Sequence, residues 1–147
     1  MSKIVEIETM LTDAMRARDG ERVSTLRLVL SALRKGEKDL MRALFEEEEL
    51  QILQRERKQR VEAAEAYAEA GRAEQAAAES AELALIDELM PPRLDEAELT
   101  NLVDEAIVAT GASSPGELGR VMSEVMPQVA GRADGALVSR LVRERLT

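Results

Sequence analysis

The chain contains no histidine and no cysteine. The commonest general base, the thiolate nucleophile and the usual zinc ligands are therefore all missing. What remains for chemistry is 29 carboxylates, 20 lysines and arginines, and a few hydroxyls. The cations form two groupings. The first is the run QRERKQR at 54–60, which supplies Arg55, Arg57, Lys58 and Arg60. The second is Gly119-Arg120-Val121-Met122 together with Gly131-Arg132-Ala133-Asp134-Gly135, followed by Arg140 and Arg143. Guanidinium forks match phosphate and carboxylate oxygens, so either grouping could meet a phosphate or an acidic partner. The carboxylates could in principle hold magnesium or act as acid and base, but they are spread over helix surfaces in the manner of a solvated face. Ser113-Ser114 reads as a helix cap. A serine nucleophile needs a base within hydrogen-bond reach, and Lys3, Lys35, Lys38 and Lys58 all lie in the other half of the chain. No Walker loop or G-x-G-x-x-G occurs. We assign no catalytic residue, metal site or cofactor. Phe45 and Tyr67 are the only aromatics, too few to stack unpaired bases.

Charge narrows the partner. A net charge of −9 argues against a strong, non-specific polyanion binder. The distribution is uneven, however. Residues 16–42 hold eight Lys/Arg against four Asp/Glu, residues 113–147 hold five against four, and residues 61–112 are acidic. Local basic faces on an acidic protein fit modest, specific contacts. No apolar run approaches the roughly 20 residues of a membrane span, and Met1–Met10 is already charged and amphipathic, so the expectation is a cytoplasmic protein with no membrane role.

The elements that must position these residues are helices. Proline is absent from the first 90 residues, and Pro91-Pro92 cannot sit inside a helix. The expected organisation is all-α, with a bundle of long helices over 1–90 and a small three-helix domain over 91–147. Apolar spacing places helices at about 2–18, 21–42, 46–70 and 72–90, with Gly36 weakening the far end of the second. Asp95-x-x-Glu98 is a capping box with Leu94 and Leu99 as its staple. Gly111 ends that helix. Ser114-Pro115-Gly116-Glu117 starts the next, Pro127 should kink or split it, and Asp134 can cap the last.

Each cationic grouping has two readings. In QRERKQR, residues 57 and 60 fall on the inward face. Either this turn overhangs the bundle, with stems covering apolar neighbours and heads paired to acids, or two or three of the four cations converge on a phosphate or a partner. In the second grouping, Gly119 inside a helix is costly unless something approaches closely. Gly131 and Gly135 bracket a tight turn, and the helix start after Asp134 would present backbone N–H groups to an anion. The plainer alternative is helix-turn-helix packing with surface arginines.

The segments RVSTLRLVLSAL (22–33), ILQRERKQR (52–60), LMPPRLDEAEL (89–99) and GASSPGELGRVMSEVMPQVAGRADGALVSRLVRERL (111–146) resemble, across nearly the whole chain, the YqeY-like proteins of the GatB/YqeY domain group. The last segment is similar to the tail domain of the B subunit of the tRNA-dependent amidotransferase. The resemblance implies an N-terminal helical bundle and a three-helix C-terminal domain. It also implies a link to carbon–nitrogen ligase chemistry with glutamine as amide donor. The kinase part of that B subunit and the Ser-Ser-Lys glutaminase subunit have no counterpart here, so what the resemblance carries over is tRNA recognition in an accessory role. The chain departs from the family's habit at Arg120 (usually lysine), Ser123 (usually glycine) and Leu89 (usually tyrosine), and the third helix opens on Phe45-Glu46 instead of a Leu-Thr cap. The expected function is a tRNA-linked binding module in which Arg120, Arg132, Arg140 and Arg143 meet phosphates and the 55–60 patch extends the footprint. The alternative is an adaptor that docks on amidotransferase subunits or another protein and has no nucleic-acid role.

Overall fold

The computed structural model describes residues 2–147, and among them every regular element is helical. The helices are α1 (Lys3–Arg16), α2 (Gly20–Leu40), α3 (Glu46–Glu69), α4 (Ala73–Leu89), α5 (Glu96–Thr110), α6 (Leu118–Val129) and α7 (Gly135–Leu146), with a 3-10 turn at Pro115–Glu117 ahead of α6. The chain divides into two compact units, Met1–Pro91 and Pro92–Thr147. No helix among the described residues is long and apolar enough to cross a membrane.

In the first unit the apolar stripes meet as their spacing dictates. Ile7 and Ala14 of α1, Leu26, Val29 and Leu33 of α2, Leu53 of α3 and Ile86 and Leu89 of α4 form one core. Helix starts are set by local chemistry. The Asp19 carboxylate accepts from the Arg22 N–H at the start of α2. Phe45 offers no side-chain acceptor to the first N–H groups of α3; Glu48 instead accepts from the Phe45 N–H at 2.8 Å and from Arg42. Glu49 is buried and accepts from the Lys3 N–H at 2.7 Å, which closes an open donor at the start of α1. Beyond this core, α3 and α4 continue as a two-helix hairpin. From Val61 to Ala84 no residue is buried, and Gly71 turns the tip with φ +74°.

The helix α2 runs on past Gly36 to Leu40. The reason for the glycine lies in the neighbouring helix: a Cβ there would come within 2.6 Å of Ile52 Cδ1. The missing side chain lets α3 approach, and packing outweighs the propensity cost of about 1 kcal/mol.

The second unit packs α5, α6 and α7 around Leu99, Val103, Ala106, Val121, Val125, Val129, Val138 and Val142. The Asp95–Glu98 box forms reciprocally, at 2.7 and 3.0 Å, and both staple leucines join the core. Gly111 closes α5 in the left-handed region, φ 69°. Pro127 does not split its helix: α6 is continuous to Val129. Proline removes the donor that the Ser123 carbonyl would have used. Ser123 and Pro127 are both exposed, so water can serve that carbonyl, and the helix ends two residues later.

Candidate nucleic-acid interface

The α3 cations follow Leu53 at four and seven residues, so Arg57 and Arg60 share its inward face. Arg57 Nε donates to Asp87 at 2.7 Å, and its side chain is 14% exposed. Arg60 is 10% exposed, donates to Glu82 from Nε at 3.3 Å and bonds the Glu56 carboxylate through Nη1. These two arginines clamp α3 to α4. Arg55 and Lys58 point outward, Lys58 4.0 Å from Glu62. The structure therefore divides the QRERKQR run: two guanidiniums are held between helices by carboxylates and two cations lie in solvent.

In the second unit the motif residues sort by burial. Val121 and Ala133 are core, and Met122 packs beside them. Gly119 has open space where a Cβ would be, so no close approach explains it. Gly131 takes φ 77° directly after Ala130 at φ 50°, and these two left-handed residues make the tight turn. Gly135 opens α7 with ordinary room around it. Asp134 stands at the N-cap position of α7 but makes no side-chain cap hydrogen bond to the helix; its carboxylate accepts from Arg93 at 3.3 Å.

The two motif arginines are helix closers. Arg120 is 60% exposed, and it donates to the Thr110 carbonyl at 2.5 Å and to Glu117 at 2.8 Å. It thereby satisfies the C-terminal end of α5. Arg132 donates to the carbonyls of Val129 and Gln128 at 3.1 and 2.8 Å, closing α6 in the same way. Cations near the last carbonyls of a helix are favoured by the macrodipole. Arg140 and Arg143 are different. They lie one turn apart on the outer face of α7, opposite Val138, Leu141, Val142 and Leu146. Arg140 has only Glu144 at 3.7 Å, and Arg143 makes no ion pair among the described residues. Among the second-unit candidates, these two make no hydrogen bond to a helix end; in the first unit Arg55 and Lys58 are likewise exposed and at most loosely paired.

Two residues outside those eight organise this region. Glu117 accepts from the N–H groups of Ser113 and Ser114 at 2.7 and 3.0 Å and from the Ser114 hydroxyl at 3.2 Å. Those backbone donors, with Arg120 adding a smaller part, hold its carboxyl below the ordinary value of 4.5. Arg145 pairs with Asp104 of α5 at 3.1 Å. The S-x-x-E spacing signalled the first, whereas nothing local signals the second. The unit as a whole, Pro92–Thr147, holds six arginines and nine acidic residues. Among the described residues no three carboxylates are grouped so as to hold a metal ion.

No curated relative matches the chain. The family model described as "Yqey-like protein" matches residues 4–146, which is almost every residue of both helical units. On that match, the chain belongs to the YqeY-like protein family.

Proposed function

We propose that this protein is a tRNA-linked binding module whose contacts run through the C-terminal unit. The observation that carries the proposal is the Arg140–Arg143 pair on the solvent face of α7, with one guanidinium unpaired and the other only loosely held. Arg120, still largely exposed while it closes α5, lies on the outer side of α6 and can share one of its donors. Arg132 contributes mainly by fixing the turn. Recognition of this kind uses shape and phosphate contacts in place of base reading, in keeping with a chain that has two aromatic residues. The similarity of residues 111–146 to an amidotransferase tail domain supports tRNA as the nucleic acid. It also supports an accessory role beside glutamine-dependent amide transfer.

The test is binding of the full chain to bulk tRNA across a salt series. Binding is expected at low salt, with affinity falling as salt rises. Replacing Arg140 and Arg143 together by Gln should weaken it about tenfold or more and reduce the salt slope by about one for each phosphate no longer neutralised. No binding at low salt, or affinity indifferent to salt, defeats the proposal.

A second reading has its own observation. Met41 and Phe45 flank the connection between α2 and α3 at 91% and 65% exposure, and large apolar side chains exposed together mark protein contacts. On this reading the protein is an adaptor with no nucleic-acid role. Met41→Ser with Phe45→Ser would then abolish recovery of a protein partner, and Arg140→Gln with Arg143→Gln would leave it unchanged.

A further inference from the structure

Along α2, positions 27, 31, 34 and 38 recur at i, i+4, i+7 and i+11 and so fall on one helix face. They are Arg27, Ser31, Arg34 and Lys38, each a hydrogen-bond donor and three of them cations. They line a groove of about 660 Å³ that Lys35 also borders and whose apolar floor is Leu11 and Leu30. No carboxylate lines it. Arg34 is held at its edge by Glu8 at 2.6 Å and Lys35 by Asp39 at 2.9 Å, while Arg27 and Lys38 make no ion pair among the described residues. The stripe is about 16 Å long at 1.5 Å rise per residue, which is long enough to face several phosphates in succession.

We infer that this groove is a second polyanion site, one that takes the phosphate backbone of a nucleic-acid strand. The choice of occupant follows from the lining. A peptide helix docks by pressing apolar anchors into an apolar trough, and here the floor is nearly used up: Leu30 is buried in the core and only Leu11 is partly open. The rim, by contrast, offers donors and positive charge with no aromatic face. That suits backbone phosphates and is indifferent to bases. The inference does not rest on the C-terminal reading, since the residues, the unit and the surface are all different.

The probe is a fluorescein-labelled polyuridylate strand of about twenty nucleotides, titrated with the full chain at about 50 mM salt and upward. Arg27→Gln with Lys38→Gln, both exposed and unpaired, should weaken binding about tenfold and flatten the salt slope by about 1.4, or 0.7 for each phosphate of a single strand. Glu8→Gln releases Arg34 into the groove and should tighten binding, a gain that general loss of structure cannot produce. Both variants are also made on the Arg140→Gln, Arg143→Gln background. There the groove effect should persist, so failure of the C-terminal proposal and failure of this one give different patterns. Binding of the strand unaltered in both groove variants overturns the inference. So does an effect confined to a polyglutamate peptide or to vesicles containing phosphatidylserine.

Discussion

At the scale of single residues, charge in this protein is used mostly to finish helices. Glu117 gathers three donors and Arg120 at the start of α6, and the consequence for acid stability has a definite sign. Its folded-state carboxyl titrates below the ordinary 4.5 because the charged form is hydrogen-bonded. The stabilisation is therefore present above that value and is lost as pH falls through it toward the folded-state value. Glu117→Gln should unfold at lower urea concentration at neutral pH. Its deficit against the parent should shrink as pH is lowered past 4.5; circular dichroism of urea midpoints against pH checks this, and a constant deficit would contradict it. Sequence spacing found the pairing of Ser114 with Glu117 because the partners lie three residues apart, although the serine hydroxyl donates to that glutamate. It did not find that Arg120 reaches ten residues back to Thr110, or that Arg132 closes α6, because those roles depend on where two helix ends meet in space.

At the scale of elements, α3 and α4 are joined by ionic contacts at the edge of an apolar core. Their positions were legible from the i+4 and i+7 spacing after Leu53, which put arginines where leucines would be expected. Their partners on α4 were not, since Asp87 and Glu82 lie 30 and 22 residues away. Arg60→Ala would leave Glu56 and Glu82 facing each other in a largely buried setting and should cost about 2–4 kcal/mol. Lys58→Ala, on the exposed side of the same turn, should cost less than about 1 kcal/mol. Equal losses in chemical denaturation would show that the pairing contributes nothing particular. Helix limits that depend on short-range chemistry, such as the box at Asp95 and the stop at Gly111, could be read from the chain. Gly36 could not, because what it accommodates belongs to another helix, and neither could the uninterrupted passage of α6 through Pro127.

For the molecule as a whole, the all-helical class followed from periodicity and the absence of any alternating pattern. The turnover near Pro91-Pro92 coincides with the division between the compact units. Which cations face outward did not follow, since composition reports charge and not direction. The residue inventory nonetheless fixes one property of any anion binding. With no histidine and no cysteine, no side chain has an ordinary titration between about pH 6 and 9. Affinity for tRNA or for polyuridylate should therefore stay within about twofold over that interval at fixed salt. A bell-shaped or sigmoidal profile there would mean that something other than guanidinium and ammonium groups governs the contact.

The projecting α3–α4 hairpin carries a practical corollary. Its register is pinned near Arg57 and Arg60, well short of the tip, and from Val61 to Ala84 nothing is buried. An epitope or fluorophore-bearing loop spliced in at Gly71 would thus sit on a ready-made stalk, leaving the apolar core at its base undisturbed.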